Sequence, residues 1–227
     1  MSTQAELRTH LEGLFTAERK VRELHDALAQ TPKDALLEVL APAIAEAAKL
    51  DDEAEASLRL VRIAGVLGEV EGPRAMDALV DILASDHPEA RHAAGEAIEE
   101  AAYDRFKEVA QGVERALARL PEGSPALPEL PYILMEVPEP GVLKLLEKFL
   151  AHKDADAVAA AIEVAADMGD PILVKHLQKL QNDKRTVEMA EEDSEEPAEV
   201  TIGELALEAI DLLTGGEDDG DDDGEAR

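Results

Sequence analysis

A chain of 227 residues with 52 acidic and 22 basic side chains has a formal charge of −30, which repels phosphate backbones and excludes nucleic acid as the expected partner. The absence of cysteine removes disulfides, thiolate nucleophiles and cysteine-ligated zinc together. With three Phe, two Tyr and no Trp, the core must be built from Ala and Leu, a composition that suits closely packed helices and predicts essentially no sheet.

No run of apolar residues is long enough to span a bilayer, so no membrane partner is expected. The first six residues, Met1 to Glu6, lack a basic region followed by an apolar run. No signal peptide is therefore expected, and the chain is read as cytoplasmic.

Residues 3–29 read as one amphipathic helix. Thr3 and Glu6 have the spacing of a capping box, and Leu7, Leu11, Leu14, Phe15, Val21, Leu24 and Leu28 recur at helical intervals. A second helix is predicted from Thr31-Pro32-Lys33-Asp34, with Thr31 as cap, Pro32 in the first turn and Leu36, Leu37, Leu40, Ile44 and Ala47 on its apolar face. Asp52 and Glu55 open a third, carrying Leu58, Val61, Ile63, Ala64, Val66 and Leu67.

Gly68 to Pro73 is a break, Ala75 to Leu83 a helix, Ser85 to Glu89 a turn and Ala90 to Ala102 a further helix. Residues 121–140 hold Pro121, Pro125, Pro128, Pro131, Pro138 and Pro140, too many for an ordinary helix, so Tyr132 to Met135 are read as a short turn or a plug. Helices are then predicted for residues 141–150, 157–168 and 172–180, with another beginning between Asp183 and Val187. Thr201 and Glu204 repeat the capping-box spacing ahead of a terminal cap helix at 201–214.

First-helix starts near residues 34, 72, 104, 140 and 170 are separated by 38, 32, 36 and 30 residues. Periods of this length holding two helices indicate an α-solenoid, because a single pair cannot hide its own apolar faces.

The residues that carry the repeat are Val61-Arg62-Ile63-Ala64-Gly65-Val66-Leu67-Gly68, Gly72-Pro73-Arg74-Ala75-Met76-Asp77-Ala78-Leu79 and Asp86-His87-Pro88-Glu89-Ala90-Arg91. They resemble HEAT repeats, in particular the short bacterial HEAT-like type also found in phycobilin lyase-like proteins. A second match runs from Val142 to Pro171 and a weaker one from Ile202 to Leu213. The resemblance implies an all-α fold of stacked antiparallel helix pairs: roughly five repeats, one irregular and proline-rich, and a terminal cap helix. It implies residues 1–214 as the solenoid, with 215–227 as an acidic tail whose composition predicts disorder. It also implies a protein-binding scaffold or adaptor in a bacterial cytoplasm, with Arg91 bracing adjacent repeats through Asp86 or another acid.

Chemistry has few candidates. Asp219 to Gly224 follow the opening of a calcium loop, but the glutamate required at its twelfth position would fall beyond Arg227. Of six histidines only His87 and His92 are close, at a spacing that does not share a helix face, and none is followed by Glu as in HEAT-like di-iron hydroxylases. No phosphate loop or nucleophile elbow occurs. No catalytic residue, cofactor or metal is assigned, and the chain is read as a non-enzyme; a lyase- or hydroxylase-type enzyme acting on a bound protein or pigment is the alternative.

In a right-handed stack the second helices line the concave side, so Arg59, Arg62, His92, Glu96, Glu99, Glu163 and Asp167 are the candidate protein-binding residues. Residues 189–227 hold 16 acidic side chains against one basic, a net −15 and half the total charge. A protein partner of basic character is the expectation; whether the chain is a monomer or a dimer stays open.

Overall fold

The computed structural model describes residues 3–189 and 198–215. Local capping sets most helix starts. In α1 (Gln4–Ala29) the Thr3 side chain accepts from the Glu6 amide while Glu6 accepts from the Thr3 amide at 2.8 Å, a complete capping box. α2 (Lys33–Ala47) takes Pro32 as its cap. Thr31 does not cap it as expected, because its hydroxyl donates back to Ala27 O in α1 at 3.0 Å.

Asp52 caps α3 (Glu53–Gly68), accepting from the amides of Ala54 and Glu55 at 3.1 Å each. Gly72, at φ +114, turns the chain into α4 (Pro73–Leu83), with Pro73 where no amide hydrogen is required.

The next two predicted helices are one element, α5 (Pro88–Arg119), kinked at Arg105 (φ −135, ψ 40). The kink places the Arg105 guanidinium on Gly68 O at 2.7 Å and Val70 O at 3.2 Å, closing the carboxyl end of α3.

The proline-rich segment corrects the sequence reading. α6 (Ala126–Met135) is a full helix, with Leu127, Leu130 and Leu134 completely buried. Pro125 is its cap and Pro128 lies in the first turn, where amides have no intrahelical acceptor; Pro131 forfeits one helical bond.

α7 (Gly141–Leu150) and α8 (Ala155–Met168) follow, the latter capped by Asp154. The stretch 172–180 forms a 3-10 turn at Pro171–Leu173 and one helical turn, α9 (Val174–Leu177). The helix expected from Asp183 is instead β1 (Thr186–Met189), paired antiparallel with β2 (Ala198–Thr201), Val187 opposite Val200. β-branched residues fill facing positions of this ribbon, and they favour extended backbone over helix. α10 (Ile202–Thr214) opens on the Thr201–Glu204 capping box and closes at Gly215 in the left-handed conformation. The polar run 190–197, and the acidic tail and calcium-like run beyond Gly215, lie outside the described residues.

The protein is all-α, with one small antiparallel ribbon among the described residues. A continuous core runs from Leu36 to Ala209. α3 and α4 pack on α5, α5 on α6, α6 and α7 on α8, and α8 on α10. Polar bonds between these elements recur about one sequence period apart: Ser57 to Glu89 (32 residues), Gly72 N to Glu108 (36), Arg115 to Asp77 (38) and Lys148 to Glu114 (34). Arg91 joins this set through Glu129 Oε1 at 2.8 Å, and through Ser85 O at 3.2 Å, rather than through Asp86. Among the described residues no helix is long and apolar enough to cross a membrane.

Candidate functional site

α8 is rich in alanine, so neighbouring elements approach its backbone closely, and its spacing puts Glu163 and Asp167 on one face. α6 lies along one side of that face, β1 and α10 along the other. Between them is a cleft of about 350 Å³. Buried Ala160, Ile162, Val187 and Ala209 line its depth, with Met189, Leu205 and Leu212 nearer solvent.

Five carboxylates stand around this apolar lining: Asp156, Glu163 and Asp167 from α8, Glu188 from β1 and Glu208 from α10. Among the described residues no Lys, Arg or His lines the cleft. Tyr132 of α6 crosses to α8, its hydroxyl donating to Glu163 Oε2 at 2.6 Å. Burial, then that bond and the charges of Glu163 and Asp167, push the Tyr132 phenol well above its ordinary range, so it remains a neutral donor. Burial, then the charges of Asp154 and Glu188, raise Asp156 above the usual carboxylate range.

The site therefore presents acceptors around a greasy lining. It suits ammonium or guanidinium groups whose aliphatic stems lie on the lining. Among the described residues no three His, Asp or Glu side chains converge as a metal site requires.

The seven residues singled out from sequence fall into three groups. Glu163 and Asp167 meet in this cleft. Arg62 and Glu96 line a larger depression of about 750 Å³ between α3 and α5, together with His25, Glu69, Glu100 and Arg105, where charges are mixed. Arg59 pairs with Glu55 on its own helix at 2.7 Å, and His92 lies 3.4 Å from Glu96. Glu99 lines neither depression.

Sequence reasoning missed Tyr132, Asp156, Glu188 and Glu208 as members of one site. Tyr132 carried a signal, as a lone polar aromatic among the apolar residues of the proline-rich segment. Glu188 carried none, because its strand was read as helix.

No known family and no curated protein matches the chain. Among solved structures it is similar to the crystal structure of an engineered protein, at 19% identity over 88% of this chain and 93% of that one. The TM-score of that match is 0.30.

Proposed function

We propose that this chain is a non-catalytic protein-binding scaffold or adaptor, a HEAT-like stack of helix pairs acting in a bacterial cytoplasm. Its α6–α8–α10 cleft takes a basic, amphipathic segment of a partner protein. The observation that carries this reading is the set of five carboxylates, with no basic residue among the described lining side chains, that shares a cleft with apolar Ile162, Val187 and Leu205. Such a surface attracts cations over long range and rewards apolar contact at short range. The recurrence of cross-element bonds about one period apart supports the stacked arrangement, which offers a preorganised surface with little ordering cost.

The test is fluorescence anisotropy with a labelled helical peptide of Lys and Leu, beside a control in which Glu replaces Lys. The Lys peptide should bind, more weakly as salt rises, and the Glu peptide should not. Glu163→Gln, Asp167→Asn and Glu208→Gln combined should weaken binding at least tenfold, with the circular dichroism spectrum unchanged. Equal affinity in the triple variant would refute the assignment of the cleft.

A further inference from the structure

α1 has an apolar stripe that its own chain leaves open over the amino-terminal half, Val21, His25 and Ala29 being half-buried. None of its residues is buried, and Leu7, Leu11, Leu14 and Leu24 are 58, 48, 63 and 53% exposed. It meets the rest of the chain near its carboxyl end, where His25 Nε2 lies 2.7 Å from Glu69 Oε1. Contiguous exposed apolar surface of this kind marks an interaction face.

The stripe has a period. Leu7, Leu14, Val21 and Leu28 are spaced by seven, with Leu11 three residues before Leu14, and a strict seven-residue repeat is the pattern of helices that coil around one another. Charge identifies the occupant. Residues 4–29 hold five acidic and four basic side chains, net −1, which leaves −29 of the −30 for the remainder. A basic partner finds little attraction along α1. Two copies of this acidic chain, by contrast, meet there with least repulsion.

We propose that α1 pairs antiparallel with α1 of a second copy, making the protein a dimer. In that orientation one register matches the stripe to itself: Leu7 faces Leu28, Leu11 faces Leu24 and Leu14 faces Val21, with Ala17 facing Glu18 at the two-fold axis. A parallel pair would bring the two acidic bodies side by side. The antiparallel pair holds them at opposite ends of a helix about 39 Å long, several times a Debye length of ~8 Å.

Sedimentation of the full chain at micromolar concentration should give twice the 24.4 kDa chain mass. Leu11→Glu with Leu14→Glu should give the chain mass with an unchanged melting temperature, since α1 contributes no buried residue. Glu18→Leu should tighten association about tenfold by extending the apolar seam. A monomeric wild-type chain, or a dimer that survives the double substitution, overturns the proposal. Because the chain has no cysteine, orientation is read from introduced ones. On mild oxidation, a chain with Leu7→Cys should crosslink to one with Leu28→Cys and not to itself. Self-crosslinking of Leu7→Cys would make the pair parallel and overturn the stated geometry.

Discussion

The hydroxyl of Tyr132 and the carboxylate of Glu163 lie 31 residues apart in sequence and 2.6 Å apart in space, tying α6 to α8 at the mouth of the acidic cleft. The bond needs the phenol's proton. The folded-state pKa is raised, so the neutral form is favoured. This contribution is fully present below the ordinary phenol value of ~10 and is lost as pH rises through the raised one. In a Tyr103→Phe background, tyrosinate absorbance should therefore appear only well above pH ~10. Glu163→Gln should bring the titration back toward the ordinary value. An ordinary titration in the Tyr103→Phe background would mean that the bond does not persist in solution.

Asp154 is only 3% exposed and serves two segments at once. Oδ1 accepts from the Ala157 amide at 2.8 Å, capping α8, while Oδ2 accepts from the Gly123 amide at 2.6 Å in the turn before α6. Asp154→Ala removes both acceptors and should cost about 2–3 kcal/mol. Urea denaturation should show a lower midpoint at unchanged slope. Asp154→Asn keeps one acceptor and should lose about half as much.

Gly203 has no room for a side chain. A Cβ there would sit 2.8 Å from Gln181 O and 3.0 Å from Asp183 O, and neither is the free end of a flexible side chain. Its own amide donates to Asp183 O at 3.0 Å, so the helix start cannot slide away without losing that bond. Gly203→Ala should destabilise by about 1–3 kcal/mol. Gly13→Ala is the contrasting case, since nothing lies within 4 Å of its Cβ position. It should raise the helicity of α1, with a gain of about 0.5–1 kcal/mol. Thermal unfolding and circular dichroism separate the two.

Acid should release the joint between β1 and α7. Arg185 donates to both oxygens of Asp183 and to the carbonyls of His152 and Lys153 at 3.0 and 2.8 Å. The hydrogen bond from Arg185 holds the Asp183 carboxyl below its usual range. A lowered folded-state value means stability that is present above the unfolded pKa of ~3.9 and lost as pH falls through the folded one. Asp183→Asn should cost on the order of 1 kcal/mol at neutral pH. That deficit should shrink toward zero below pH ~3.9, and a pH-independent deficit would exclude this account.

Helix starts were legible because capping acts over two to four residues. Thr3 with Glu6, Asp52 and Thr201 with Glu204 all mark helix starts in the structure. Thr31 misled because its hydroxyl donates to Ala27 O on the preceding helix and accepts from no amide of the next. The proline count misled at α6, because position within a helix decides whether a proline costs a bond. Two of the five cleft carboxylates were visible, Glu163 and Asp167, one turn apart on α8.

What the sequence determined by itself is local: an all-α chain, the starts of most of its helices, and a charge that favours cationic partners. Only tertiary structure decided which faces meet. It made residues 186–189 a strand by pairing them with 198–201, brought Glu188 and Glu208 into the same cleft as Glu163, and assigned Arg91 to Glu129, 38 residues away. A cap lies within hydrogen-bond reach along its own turn of chain, whereas a cleft is the space left between elements whose approach is set by packing.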